Sequence, residues 1–132
     1  MNQSYKIIFL SLLLIISTVL SAKKIILISP DKKNILEIYP GSQITYSIKR
    51  NGDKILESST LSLKVGNTIW GTGSPDKIVK SYESENVNFI VPRKFKSIKS
   101  KYNKLVLKYN DYNIEFRAYN DGIAYRFVGE KM

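Results

Sequence analysis

The stretch NIEFRAYNDGIAYRFV, Asn113 to Val128, constrains the fold more than any other part of the chain. Apolar and polar residues alternate, a turn signal interrupts them, and the alternation resumes. A period of two belongs to a strand with one buried face. Ile114, Phe116 and Ala118 share a face of the first strand, and Ile123, Tyr125 and Phe127 share one of the second. All six reach the same core only if the loop holds two residues. A three-residue loop turns one strand inside out. An Asp121–Gly122 loop suits a type I′ turn, in which both central residues need positive φ. It sets Phe116 opposite Phe127, Ala118 opposite Tyr125, and Arg117 opposite Arg126, a facing pair of like charges that destabilises a sheet. An Asn120–Asp121 loop sets Glu115 opposite Arg126 instead. The first register is the expectation, and the second stays open.

The same period recurs upstream. KKIILIS is a short apolar run, and SPDKKN after it is a turn cluster around Pro30 and Asp31. NILEIYP reads as a strand that Pro40 ends. SQITYSIKR puts Ile44, Tyr46 and Ile48 on one face. Asn51–Gly52 is a strong hairpin signal, answered by KILE. TLSLKV alternates Leu61, Leu63 and Val65. GNTIWGTGSPDK reads as a loop around Ile69–Trp70, VNFIVP as a strand, and RKFKSIKSKYNK as a basic stretch. KLVLKY is a strand and NDYN a turn. No helix-period stretch of useful length follows residue 22. The fold class is therefore all-β, an antiparallel β-sandwich or part of one.

Residues 1–22, MNQSYKIIFLSLLLIISTVLSA, have the layout of a secretory signal peptide, a helix cleaved after Ser21 or Ala22. The apolar run Ile7–Val19 is shorter than the roughly 20 residues a spanning helix needs. No stable membrane span is expected after cleavage, and the location is periplasmic or extracellular. Residues 23–132 form the single domain. With no cysteine, no disulfide staples it; with no histidine, catalysis would fall to carboxylates, Lys or Tyr. The net charge of +10 is nearly all lysine. In a chain also full of Ile, Asn, Ser and Tyr, that reads as composition bias, and export argues against nucleic acid.

FRAYNDGIAYRF, Phe116 to Phe127, resembles a hallmark segment of the N-terminal domain of glycoside hydrolase family 97. SPD at Ser29–Asp31, TYSIKRNGDKILESSTLSL at Thr45–Leu63, and YNKL at Tyr102–Leu105 fall in the family's order, with Lys104 where glutamate is usual. VPRKFKSIKSK keeps Pro92 but lacks the glycine common there. The resemblance implies exported α-glucosidases or α-galactosidases that bind calcium. It implies an N-terminal galactose mutarotase-like supersandwich, here partial, followed by a (β/α)₈ catalytic barrel. The family's acid, base or nucleophile and most metal-binding carboxylates lie in the barrel. No catalytic residue and no metal ligand is carried over to this chain. The resemblance also implies a truncated piece, marginally stable or prone to dimerise or aggregate, because half a sandwich leaves edges uncovered.

Read from the residues alone, hydrolysis would need two carboxyl groups about 5 to 10 Å apart. Asp76, Glu83, Glu85, Asp111, Glu115 and Asp121 are the candidates, and Glu83 and Glu85 share a face if extended. A sugar site would use an aromatic face. Trp70 is the best single candidate, although a lone tryptophan in a β domain is more often an anchor. Arg117 and Arg126 are candidate partner-surface residues, or plain solvated side chains. The expectation is a non-catalytic support domain of a family 97 α-glycosidase whose substrate is a carbohydrate. A free-standing carbohydrate-binding or adhesion module is the alternative, and a lysine-mediated binder of an anionic polymer a third.

Overall fold

The computed structural model describes residues 23–88 and 97–130. Strands β1 (Ile25–Ile28), β2 (Asn34–Tyr39), β3 (Ile44–Arg50) and β4 (Asp53–Leu61) form an antiparallel meander. Asn51 and Gly52 take φ of 52° and 92°, so both central residues of the β3–β4 turn are left-handed, as a type I′ turn requires. A short hairpin follows, β5 (Leu63–Val65) and β6 (Thr68–Trp70). The second sheet holds β7 (Lys77–Asn88), β8 (Ser97–Lys108), β9 (Tyr112–Tyr119) and β10 (Ile123–Gly129), in the order β10-β9-β8-β7.

The two sheets pack face to face with a stagger of one strand. β1 lies over β8 and β2 over β9. Tyr46 of β3 meets Tyr125 of β10 edge-on, with ring centroids 6.1 Å apart. β4 and β7 therefore overhang at opposite ends. Leu36, Ile38, Ile44, Leu105, Ile114 and Phe116 are fully buried between the sheets. Burial of each such side chain contributes about 1.5–3 kcal/mol, against about 0–1 for an exposed ion pair. The apolar seam, not surface charge, holds the sandwich.

The sandwich class agrees with the alternation in the sequence, and three local expectations change. The β9–β10 loop is Asn120–Asp121, not Asp121–Gly122. Ala118 pairs with Ile123, Phe116 with Tyr125, and Glu115 with Arg126. Neither Asn120 nor Asp121 has positive φ, so the turn is not type I′. The shift replaces the Arg117–Arg126 opposition with a carboxylate–guanidinium pair and keeps all six apolar residues on one face. GNTIW is not a loop throughout: Leu63 pairs with Trp70 around a turn with Gly66 at φ 59°. RKFKSIKSKYNK and SYESE lie largely in the long β7–β8 hairpin, whose far half reaches past the sandwich. With no core opposite, those residues show no apolar alternation. Residues 1–22 and most of VNFIVP lie outside the described residues. Among the described residues, no helix is long and apolar enough to cross a membrane.

Candidate functional site

The tip of the β9–β10 hairpin is tied across to the first sheet. Asn34, buried at the start of β2, donates from Nδ2 to the Tyr119 carbonyl at 2.9 Å and the Asn120 carbonyl at 3.1 Å. The Asp31 amide donates to Asn120 Oδ1 at 3.0 Å. Arg50 Nη1 reaches Asn34 Oδ1 at 3.3 Å and the Asp121 carbonyl at 3.5 Å. The Ser29–Asn34 turn is itself braced. Ser29 Oγ donates to Asp31 Oδ1 at 2.6 Å and accepts from the Asn34 amide at 3.0 Å. The Ser29 hydroxyl holds the Asp31 carboxyl below the usual range, and the Lys33 amide adds to it. The SPD and YND segments are thus two halves of one clamp. Asn34 and Arg50 were not singled out from the sequence. Their only signal was position, beside the two turns.

A ladder of charges runs across the outer face of the second sheet. Strand alternation puts Glu83 and Glu85 of β7, Tyr102 and Lys104 of β8, Glu115, Arg117 and Tyr119 of β9, and Arg126 of β10 on this side. Lys104 Nζ pairs with Glu83 at 2.9 Å. The Tyr102 hydroxyl stands 2.9 Å from Glu83 and 2.5 Å from Glu85, and its single proton serves one of them at a time. Arg117 Nε donates to Glu115 Oε1 at 2.6 Å, and Arg126 Nη2 donates to Glu115 Oε2 at 3.0 Å. Arg117 also approaches Glu85 at 3.6 Å and lies over the Tyr102 ring, 4.7 Å from its centroid. The two arginines singled out from the sequence therefore share one carboxylate. Burial pushes the Glu115 carboxyl up, but hydrogen bonds from Arg117 and Arg126 outweigh it and leave it below the usual range. Lys104 and Tyr102 lower Glu83. Burial, with hydrogen bonds to Glu85 and Glu83, pushes the Tyr102 phenol up and keeps it protonated.

Trp70 lies apart from this ladder. It stacks on Tyr112 with centroids 4.8 Å apart and planes 5° apart, and Tyr109 stacks on Tyr112 in turn at 4.6 Å. Phe127 is 6.3 Å away. Trp70 thus joins the β5–β6 hairpin to the second sheet. Gly71 beside it has φ 91°, and a Cβ there would stand 2.4 Å from the Leu61 carbonyl oxygen. Its amide donates to Tyr112 Oη at 3.0 Å and its carbonyl accepts from Ile44 at 2.9 Å.

The chemistry this arrangement supports is limited. A glycosidase acid needs a carboxyl raised toward neutrality. Among the described residues, each carboxyl whose titration is displaced (Asp31, Glu37, Glu83 and Glu115) is displaced downward. Glu37 is held by Lys24 and Lys49 at 3.0 and 3.1 Å, which bring it down to about 2. Calcium takes six to eight oxygen ligands. Among the described residues no three His, Cys, Asp or Glu side chains converge on one point, and Glu37, Glu83, Glu85 and Glu115 face lysine or arginine. These residues do not fit a calcium ion.

The fold and its charge ladder define a class: an antiparallel β-sandwich held by an apolar seam, with a clamp across its sheets and paired charges on its outer face. The sequence matches the family described as glycosyl-hydrolase 97 N-terminal over residues 27–131, and the chain belongs to that family. It is 37% identical over 131 residues to a retaining alpha-galactosidase of Bacteroides thetaiotaomicron, an alignment covering 95% of this chain and 19% of that protein. Two solved structures of a glycoside hydrolase family 97 enzyme from Pseudoalteromonas sp. strain K8 share the fold. One is in complex with acarbose, and the other is a variant in complex with panose. Each aligns with TM-score 0.67 at 17% identity, covering 82% of this chain and 18% of the other. The chain spans about a fifth of the length of these relatives.

Proposed function

We propose that this sandwich is the non-catalytic, carbohydrate-associated N-terminal domain of an exported α-glycosidase, and that it supports a (β/α)₈ catalytic barrel lying outside this chain. The single observation that carries the reading is the inter-sheet clamp. The family's most specific segment is engaged in joining two sheets, and both of its arginines are paired with Glu115. The downward-displaced carboxyls support the same reading, because none is suited to donate a proton near neutral pH. Residues 1–22 favour export to the periplasm or beyond. The substrate of the complete enzyme would be an α-galactoside or α-glucoside, and any calcium would be held outside the described residues.

The test is hydrolysis of chromogenic α-galactoside and α-glucoside substrates by the purified chain. No turnover above buffer is expected. Saturable turnover that Glu83→Gln or Glu115→Gln removes would overturn the reading.

A further inference from the structure

β1 is the edge strand of the first sheet. The Ser29 N–H donates to the Asn34 carbonyl, so odd residues of β1 bond to β2 and even ones turn outward. The N–H and C=O groups of Ile26 and Ile28 therefore face the open side. A bare row of this kind is a template for a further strand. Here the carbonyls are not bare. Lys80 Nζ donates to the Ile26 carbonyl and Asn103 Nδ2 to the Ile28 carbonyl, each at 2.7 Å. Both donors come from the other sheet, 54 and 75 residues away along the chain.

The stagger defines the place a fifth strand would take. β1 lies over β8, and β7 is the next strand outward. A strand added beside β1 would lie over β7. Directly opposed residues of a ladder share a face. Lys80 stands opposite Leu105, Ile78 opposite Leu107 and Tyr82 opposite Asn103, and Leu105 and Leu107 are fully buried in the core. Ile78, Lys80, Tyr82 and Asn103 therefore point inward, toward that open place. A hollow of about 410 Å³ lies there, lined in part by Ile26, Ile28, Lys80, Tyr82 and Asn103. Ile78 and Tyr82 are 42% and 58% exposed.

Two tendencies oppose each other in this hollow. The apolar surface of Ile78 and Tyr82 and the outward N–H groups of Ile26 and Ile28 favour an alternating strand, such as the chain's own β2 or β9. Lys80 stands against it. An incoming strand would displace both side-chain donors and cover the Lys80 ammonium, which has no ion-pair partner among the described residues. Burying an unpaired charge is costly. We propose that Lys80 and Asn103 are gatekeepers of the β1 edge: they keep it from pairing with an extended strand of a second copy of this chain. A folded second copy cannot pair symmetrically through β1, because its β8 would have to occupy the position of β7. The incoming strand must come from a copy that has released it, so the association held in check is open-ended rather than a closed dimer.

The test compares variants of the full chain by sedimentation velocity over a concentration series, with amide hydrogen exchange resolved by residue. Lys80→Leu removes the charge and the donor. It is expected to associate at a concentration at least about tenfold lower than the original chain, with the Ile26 and Ile28 amides gaining protection. Lys80→Gln removes the charge with a smaller change of shape and should do the same, which keeps the test open if Lys80→Leu does not fold. Lys80→Arg keeps charge and donor and should match the original. Lys99→Leu should also match it: Lys99 lies on the same face of the β7–β8 hairpin, opposite Asn86 and farther out along β8 than Asn103. Folded Lys80→Leu and Lys80→Gln proteins no more associated than the original would overturn the proposal. So would association that leaves Ile26 and Ile28 unprotected, or equal association by Lys80→Arg or Lys99→Leu.

Discussion

At the residue scale, the charges act by mutual compensation. Glu115 is the pivot: without it, Arg117 and Arg126 would face solvent and each other with no shared counter-charge. Glu37 does the same for Lys24 and Lys49 on the first sheet. Its folded pKa is depressed from 4.5 to about 2, chiefly by hydrogen bonds from those two lysines. A depressed carboxyl contributes stability that is present above its unfolded pKa and lost as pH falls through the folded one. Stability is therefore expected to fall as pH drops from 4.5 toward about 2. Urea midpoints across that window should fall less steeply for Glu37→Gln than for the unchanged protein. Equal slopes would remove Glu37 from the account.

At the element scale, what could be read in advance follows from what each strand faces. β2, β3 and β9 each have one face against the core, and their alternation shows plainly. Asn51–Gly52 announced its own turn. The far half of β7–β8 has no core opposite, so its residues are polar on both sides and carry no period. The β9–β10 loop misled because Asp-Gly is a strong turn signal taken alone. Here the turn is chosen by bonds that arrive from Asp31, Asn34 and Arg50, far away in sequence. The same reason hid Asn34: its partners are backbone carbonyls, which no side-chain pattern marks. Trp70 was visible as a lone aromatic in a glycine-flanked stretch, but its stack on Tyr112 was not. Gly71 makes that junction possible. Gly71→Ala would force a side chain against the Leu61 carbonyl at a left-handed φ, and should cost about 2 kcal/mol or more. The emission of Trp70, the chain's only tryptophan, reports the loss directly during urea unfolding. A midpoint unchanged by the substitution would contradict the packing described.

At the scale of the whole molecule, two four-stranded sheets meet through one apolar seam and one polar clamp. The seam supplies most of the stability, and the clamp fixes how the sheets sit on each other. The family's most specific segment lies in the clamped hairpin, beside Glu115, whose carboxyl the two arginines hold below the usual range. Among the described residues no strand pairs with the outer edge of β10, which lies beside the overhanging β4. The β1 edge differs: the Lys80 side chain donates to the Ile26 carbonyl and the Asn103 side chain to the Ile28 carbonyl, each at 2.7 Å. A symmetric antiparallel dimer through β10 would drive the β4 of each copy into the β3 of the other.

The most direct measurement is equilibrium urea unfolding of Asn34→Ala, followed by Trp70 fluorescence and far-UV circular dichroism together. Asn34 touches the clamp from the first sheet, while Trp70 reports on the second. Losing the side chain leaves the Tyr119 and Asn120 carbonyls without their buried donor. The expected result is a loss of about 1–3 kcal/mol, with both signals shifting together. An Asn34→Ala protein as stable as the original would contradict the claim that this segment holds the two sheets together.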